Sequence, residues 1–121
     1  EVRAAVIGAI SKVAQEKPEG GVFAILIGAL NDPAETVRCE AAAALGNLAH
    51  QPAIPSLMDL LHHESGESRK SAALALMKIG DRTALEPLQS ALTSESEAQV
   101  QRILKLAISQ LERQLEEDRW E

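Results

Sequence analysis

Apolar and polar positions alternate along the chain in two helical patterns that recur at a nearly constant spacing. Four copies of the first pattern start at Val2, Val37, Ser68 and Val100, which are 35, 31 and 32 residues apart. A second pattern lies between them, repeats at offsets of 31, and starts at Val22, Ala53 and Ala84. A period of this length made of two alternating helices is typical of a helical-hairpin solenoid. The patterns predict seven helices, at 2–16, 22–30, 34–49, 53–62, 67–79, 84–93 and 97–117.

Helix boundaries are marked by capping and breaking residues. Asp32-Pro33-Ala34-Glu35 has the form of an N-cap, a proline at the first helical position and a carboxylate three residues after the cap. Gly20-Gly21 and Gly80 interrupt the helical pattern and predict turns.

The repeated segments resemble the HEAT repeat. The resemblance rests on Ala-Ile-Pro-Ser-Leu-Met-Asp-Leu-Leu at 53–61 and on Val-Arg-Cys-Glu-Ala-Ala-Ala-Ala-Leu-Gly at 37–46. With its short period, the chain is most similar to the HEAT-like repeats of phycobilisome bilin lyases. The resemblance implies an all-α fold, a right-handed α–α superhelix of about 3.5 hairpins. We expect a single domain that consists of a half repeat 1–17, repeats 21–50, 52–80 and 83–111, and a C-terminal capping extension 112–121.

One arginine position of the motif is filled three times, by Arg3, Arg38 and Arg69, and Gln101 replaces it in the last repeat. The resemblance implies a structural role, in which this arginine pairs with an acidic group near the turn between the helices, here Asp32 or Glu64. The loss at Gln101 predicts that the last repeat is a cap. Since residue 1 falls at the start of a second helix, the sequence is also expected to be a solenoid cut from something longer.

Helical geometry, at 100° per residue, separates a core face from an open face on each second helix. The predicted core positions are Val37, Ala41, Ala44, Leu45 and Leu48, with Ala42 and Ala49 beside them; their equivalents are Val6, Ala9, Ile10 and Val13, then Ala72, Ala75, Leu76 and Ile79, then Leu104, Ala107, Ile108 and Leu111. In the first helix, Val2, Val6, Ile10 and Val13 lack the partner helix that the other repeats possess, which predicts self-association through the N-terminal end.

The open face carries small, apolar and basic residues, Gly46 among the small ones. In HEAT-like solenoids this face lines the concave surface, so the resemblance implies one continuous stripe. The candidate protein-binding residues are Cys39, Ala43, Lys70, Leu74, Met77, Arg102 and Leu106, and Lys78 and Lys105 extend the basic rim. The alternative is that superhelix twist buries Leu74 and Leu106 between repeats.

Composition narrows the class of protein further. Hydrophobic residues make up 45% of the chain and aromatic residues only 2%, which favours closely packed aliphatic helices. A formal charge of −6 argues against a nucleic-acid partner, and the absence of a long apolar run argues against a membrane span. The single cysteine excludes an internal disulfide, and we expect a cytoplasmic protein.

Catalytic chemistry is not indicated. The three histidines, His50, His62 and His63, fall near helix ends, where solvated side chains are favourable. We therefore expect no catalytic, metal or cofactor site. A non-catalytic scaffold that binds protein is the favoured function; part of a bilin lyase with a phycobiliprotein-like partner, and a purely structural segment, are the alternatives.

The C-terminal residues extend beyond the last repeat. Leu111 and Leu115 continue the apolar stripe and predict a capping helix, whereas an acidic docking tail with Trp120 as its anchor is the alternative.

Overall fold

The computed structural model describes residues 2–119, and within that range the chain is helical and contains no strand. Its helices are α1 Val2–Glu16, α2 Gly20–Ala29, α3 Glu35–Asn47, α4 Ile54–Leu60, α5 Gly66–Ile79, α6 Leu85–Ser94 and α7 Ala98–Arg119. Short 3-10 turns at Gln51–Ala53 and Arg82–Ala84 lead into α4 and α6. The predicted all-α fold is confirmed, and no predicted helix end is displaced by more than two residues.

The helices form two layers. α2 packs on α3, α4 on α5 and α6 on α7 as hairpins, while α1, α3, α5 and α7 stack on one another in chain order. The contact between α3 and α5 is the most extensive in the described chain. Stacked hairpins of this kind are an α-solenoid, as the period predicted. The division into numbered repeats stays a prediction.

The core is built from leucine and alanine. Leucines from both layers are almost fully buried: Leu26, Leu30, Leu45, Leu57, Leu76, Leu88, Leu104 and Leu111. Each contributes about 1.5–3 kcal/mol by removal from water. Alanines with no exposed surface, including Ala42 and Ala73, lie where neighbouring helices meet and allow a close approach.

Gly46 lies at one such close contact, between α3 and α5. A Cβ built on Gly46 would lie 2.8 Å from the Cα of Ala75 on α5. The sequence placed Gly46 on the open face, and that placement is wrong. The backbone that approaches it belongs to α5 of the same chain.

Helices α3 and α5 end in left-handed backbone. Gly80 follows α5 with φ 73°, and Ala49, at the equivalent position after α3, has φ 50°. Glycine adopts this region without steric cost, whereas alanine does so at a cost of about 1–2 kcal/mol. The prediction that Ala49 flanks the core face is therefore wrong, since this residue is exposed and ends the helix.

The predicted cap of α3 is displaced. Helix α3 begins at Glu35 rather than at Pro33. Asp32 still closes the turn, because its Oδ1 accepts a hydrogen bond from the backbone N–H of Ala34 at 2.8 Å. At the equivalent turn before α5, the Ser65 hydroxyl accepts from the backbone N–H of Ser68.

The core assignment is confirmed for α3, α5 and α7 and is wrong for most of α1. Val6, Ala9 and Val13 are exposed, and the buried residues of α1 are Ile7 and Ala14 instead. The reason is that α2 and α3 cover one side of α1 and no described element covers the other.

At the other end, α7 is the longest helix. Leu111 is fully buried and Leu115 packs partly against the core, while the capping role of this helix stays a prediction. Trp120 lies outside the described residues. Between residues 2 and 119 there is no helix whose length and apolar content would let it traverse a bilayer.

Candidate functional site

The seven candidate protein-binding residues lie on three successive second helices, and we call them the second-helix surface: Cys39 and Ala43 on α3, Lys70, Leu74 and Met77 on α5, and Arg102 and Leu106 on α7. Six of them form two rows of equivalent positions, because both rows repeat at offsets of 31 and 32. One row is Cys39, Lys70 and Arg102, and the other is Ala43, Leu74 and Leu106.

The apolar row is exposed at both of its ends and partly buried in the middle. Ala43 is exposed, Leu74 is partly buried, and Leu106 keeps 50% of its surface in solvent. The expected alternative, burial of both leucines between repeats, therefore does not describe Leu106. Met77 differs from the rest because it packs against the core.

Two residues of the polar row, Cys39 and Lys70, contact Glu67 on α5. The Lys70 ammonium lies 3.1 Å from a carboxylate oxygen of Glu67, one turn earlier on α5. The Cys39 thiol lies 3.7 Å from the Glu67 carbonyl oxygen, which brings α3 and α5 together at this point. Arg102 is exposed on α7. Lys78, on the predicted rim, donates to the Asn47 side chain at 2.8 Å.

The repeated arginines lie at the turn-side edge of the stack and form a ladder that links successive hairpins. Arg38 is 7% exposed. One of its guanidinium nitrogens donates to the carbonyls of Asp32 and Pro33 at 2.8 and 2.9 Å, which closes its own turn. Another nitrogen reaches the Ser68 hydroxyl on α5 at 2.9 Å.

Arg69 repeats this arrangement one hairpin later. Its Nη1 donates to the carbonyls of His63 and Glu64 at 2.8 and 3.0 Å. Its Nε and Nη2 bind the Glu95 carboxylate at 2.7 and 3.0 Å, and Nη2 also contacts Glu97 at 2.5 Å. The guanidinium thus joins the turn before α5 to the turn before α7.

Arg69 and Glu95 each favour the charged form of the other. Hydrogen bonds from Arg69 hold the pKa of the Glu95 carboxyl below its usual range, against the opposing effect of burial. The hydrogen bond to Glu95 in turn raises the pKa of Arg69. The Glu95 side chain is 4% exposed, so the ion pair is largely shielded from solvent.

The ends of the ladder are weaker. Arg3 lies 3.2 Å from the Asp32 carboxylate, and its side chain is 60% exposed. Gln101 keeps only the contact to its own turn, since its amide nitrogen donates to the Glu95 carbonyl at 2.7 Å.

The expected partners of these arginines are confirmed only in part. The Asp32 carboxylate pairs with Arg3, whereas Arg38 uses the Asp32 carbonyl instead. Glu64 offers its carbonyl rather than its carboxylate to Arg69. The sequence did not single out Glu95 as the partner of Arg69.

A second regularity at this edge was also missed. Asp32, His63 and Glu95 each lie six residues before a ladder residue, and each accepts a hydrogen bond from the backbone N–H two residues later. The distances are 2.8, 3.0 and 3.0 Å. His63 is therefore a turn residue whose Nδ1 is an acceptor, and not the solvated helix-end side chain that was expected.

His50 departs from the same expectation. Its ring stacks on Phe23, with ring centroids 3.8 Å apart and planes 1° apart. Burial lowers the pKa of His50. Of the three histidines, His62 alone is exposed. No group of three or more potential metal ligands occurs within residues 2–119.

Two grooves are relevant to ligand binding. The larger, about 910 Å³, runs along the turn edge and is lined by five carboxylates, namely Asp32, Glu35, Glu64, Glu67 and Glu97, together with Arg38 and Lys70. The smaller, about 360 Å³, lies between α1 and α2 and is lined mainly by apolar side chains such as Val6, Ile10 and Ile25.

Comparison with known proteins assigns the chain to a repeat family. A family profile described as HEAT repeats matches residues 23–109, well over half of the chain. The chain belongs to the HEAT-repeat family. The HEAT resemblance inferred from the arginine and alanine positions is thereby confirmed.

The HEAT-repeat chain is also similar to a protein of bilin metabolism. It is 33% identical over 112 residues to the bilin biosynthesis protein MpeU of Synechococcus sp. strain WH8020. These residues make up 92% of this chain and 38% of MpeU. The chain thus spans little more than a third of that relative's length, and the expected similarity to bilin-related HEAT-like repeats is confirmed.

Proposed function

We propose that this chain is a non-catalytic, cytoplasmic scaffold that binds another protein through the second-helix surface. The observation that carries the proposal is the apolar row at equivalent positions of three stacked helices, which ends in the half-exposed Leu106. HEAT solenoids create extended surfaces by repeating one position along the stack. A repeated apolar row of this kind supports one elongated contact rather than a pocket.

The charges around the row favour a particular partner. The chain has a formal charge of −6, yet the seven residues of the second-helix surface include Lys70 and Arg102 and no carboxylate. An amphipathic helix with an acidic flank would place apolar side chains on Leu74 and Leu106 and carboxylates beside Arg102. We propose such a segment as the partner's binding element.

The test is capture of partners from an extract of the source cells, identification by mass spectrometry, and binding measurements with the purified partner. Leu106→Glu is expected to weaken binding roughly tenfold or more, because an interface hot spot contributes about 2 kcal/mol. Ser90→Glu on α6 adds the same charge to the other layer and should leave binding unchanged.

Circular dichroism of both variants separates lost binding from lost folding. A folded Leu106→Glu variant that binds as tightly as the original chain would contradict the proposal, and so would a variant that unfolds because Leu106 is needed in the core. Leu74→Glu is the second variant, since it alters the same row on α5.

A second candidate function follows from the similarity to MpeU. We propose as the alternative that the chain acts in bilin handling, as part of a lyase, with a phycobiliprotein-like partner. The identity of 33% over 92% of this chain favours it.

We propose that such a role would still depend on the protein partner, because neither of the two grooves described above favours a free bilin. The larger groove carries five carboxylates, which repel the propionate groups of a bilin, and the apolar groove has a volume of only about 360 Å³. Phycocyanobilin alone is therefore expected to give no absorbance shift with this chain, whereas a phycobiliprotein subunit is expected to bind. A shift with the free pigment would favour the lyase alternative over the scaffold.

A further inference from the structure

A third row of equivalent positions lies on the other side of the apolar row from the polar row. It consists of Asn47, Lys78 and Gln110, which are all exposed and lie on α3, α5 and α7. On each of these helices the third-row residue follows the apolar-row residue by four positions, and the polar-row residue precedes it by four. Residues four apart share one face of a helix, so the apolar row runs across the stack between two polar rows.

The two flanking rows are basic although the chain as a whole is acidic. In the full chain, 18 Asp and Glu residues outnumber 12 Lys and Arg residues. The six flanking positions nevertheless contain no carboxylate and three cations, namely Lys70, Lys78 and Arg102. Glu40, which follows Cys39 on α3, is exposed, so the positive charge is concentrated where the rows cross α5 and α7.

The three cations differ in how far the chain itself uses them. Lys70 pairs with the Glu67 carboxylate at 3.1 Å, and Lys78 donates one hydrogen bond to the Asn47 side chain at 2.8 Å. Arg102 makes no hydrogen bond or ion pair with any residue in the range 2–119. Positive charge is therefore available on both sides of the apolar row to a partner that carries carboxylates.

The width of this surface fits an α-helix. Lys70 and Lys78 are eight residues apart on α5, which corresponds to about 12 Å along the helix axis. An α-helix with its side chains is about 10–12 Å wide, so a helix placed on Leu74 reaches both lysines. A single extended strand occupies only about 4.7–4.9 Å between its neighbours in a sheet and spans less than half of that width.

The step from one second helix to the next also fits an α-helix. Packed helices lie about 8–10 Å apart, and α3 and α5 are in close contact at Gly46. Six or seven residues of an α-helix rise about 9–10.5 Å and return to nearly the same face. Three residues of an extended chain cover about 10 Å, but the first and last of four consecutive side chains then point to opposite faces.

We infer that the partner's binding element is an α-helix that lies on the apolar row and crosses α3, α5 and α7. Its apolar side chains recur at about seven residues, and its carboxylates lie on both sides of this stripe, where they meet Lys70, Lys78 and Arg102. The inference rests on the function proposed above for the second-helix surface. It adds the direction of the bound helix, the spacing of its apolar residues and the two-sided placement of its acidic residues.

The probe for the test is a designed helical peptide of about 18 residues, which is about 27 Å long and can cross three packed helices. Leucine occupies the first and fourth positions of each seven-residue unit, glutamate flanks this stripe on both sides, and glutamine faces solvent. A hydrocarbon bridge on the glutamine side holds the helix. The control peptide has the same composition and the same bridge, with its leucines distributed around the helix. Fluorescence anisotropy is expected to show at least tenfold tighter binding for the probe.

Charge reversal tests the two-sided contact. Lys70→Glu and Lys78→Glu lie on opposite sides of Leu74, and each is expected to weaken probe binding roughly three- to tenfold, because an attraction is replaced by a repulsion. Lys17→Glu makes the same charge change at an exposed position after α1 and should leave the affinity unchanged. Circular dichroism verifies that the three variants are folded. An effect at only one of the two α5 lysines would contradict a helix lying between them.

The direction of the bound helix is read from spin labels placed at either end of the probe. The crossing arrangement predicts that one label broadens the amide resonances of α3 and that the other broadens those of α7. Broadening that instead runs along α5 from Lys70 to Lys78 would show a helix parallel to the second helices and would overturn the inference.

Failure of this inference can be distinguished from failure of the proposed function. If the probe binds no more tightly than its control, the crossing helix is refuted. The proposed function still stands in that case, provided that the partner captured from cells loses affinity for Leu106→Glu. Partner binding that Leu106→Glu does not weaken would refute the proposed function, whatever the probe does.

Discussion

Replacing Arg69 with alanine tests whether the ladder couples neighbouring hairpins. The guanidinium makes two hydrogen bonds to the turn before α5 and binds Glu95 and Glu97 at the turn before α7. The substitution removes both sets of contacts at once. It leaves the Glu95 carboxylate, whose side chain is 4% exposed, without its cation.

The expected cost follows from that burial. Breaking a buried ion pair by removing one partner costs about 3–5 kcal/mol. The Arg69 side chain is 17% exposed and solvent reaches part of the pair, so the lower part of this range applies. Lost hydrogen bonds to charged groups give a similar value, about 1.5–3 kcal/mol each. We therefore expect Arg69→Ala to reduce the free energy of unfolding by about 2–4 kcal/mol.

The chain contains its own control. Arg3 occupies the equivalent motif position, is 60% exposed and pairs with Asp32 at 3.2 Å. Exposed ion pairs contribute about 0–1 kcal/mol, so Arg3→Ala should cost less than about 1 kcal/mol. Urea unfolding followed by far-ultraviolet circular dichroism measures both variants under the same conditions.

A double-mutant cycle identifies the contact responsible. Arg69→Ala and Glu95→Gln together should be less destabilising than the sum of the two single changes, by about 0.5–3 kcal/mol. Equal costs for Arg69→Ala and Arg3→Ala, or strict additivity with Glu95→Gln, would refute the coupling of the two hairpins through this pair.

Further predictions concern packing, backbone strain and pH. Gly46→Ala forces α3 and α5 apart and should lower the free energy of unfolding by about 1–3 kcal/mol. Gly8→Ala is the control, since a Cβ there meets nothing within 4 Å, and it should raise the free energy of unfolding by about 0.5–1 kcal/mol. Equal effects of the two changes in thermal unfolding would contradict the close contact at Gly46. Ala49→Gly relieves a left-handed alanine and should raise stability by up to about 1 kcal/mol, while Gly80→Ala at the equivalent position should lower it by at least as much. A loss of stability for Ala49→Gly, or a gain for Gly80→Ala, in urea unfolding would contradict the strain. Because the pKa of Glu95 is lowered in the folded chain, its contribution to stability is present above the unfolded value of about 4.5 and is lost as pH falls through the folded value. Glu95→Gln should therefore be less stable than the original chain at neutral pH and should approach it in stability below pH 4.5; a constant difference across the acid range would contradict this role.

The fold followed from the sequence because its determinants are periodic. Each helix recurs at a spacing near 31 residues, so one misjudged position is outweighed by its equivalents. The failures occurred where a position has no equivalent environment. Val6 and Val13 have core composition but are covered by no helix of the described residues, and Ala49 occupies left-handed backbone for which alanine gives no signal.

The turn edge was harder to predict because its equivalent residues play the same structural role in each repeat but differ in chemical type. Asp32, His63 and Glu95 all accept a hydrogen bond from the backbone, yet one is a short carboxylate, one an imidazole and one a long carboxylate. Their common distance of six residues before the ladder position was the available signal. The second-helix surface could be located by its register, whereas the exposure of Leu106 and the burial of Met77 depend on how the helices tilt.

The ladder also determines how the solenoid can bend. The ion pairs that join hairpins, Arg3 with Asp32 and Arg69 with Glu95 and Glu97, lie at the turn-side edge of the stack. Short, charge-assisted contacts resist stretching, so we expect the hairpins to separate least at this edge. At the far ends of α3 and α5, by contrast, the polar link is the single hydrogen bond between Lys78 and Asn47. We therefore expect the order and spacing of the hairpins to be held at the turn-side edge when the stack bends.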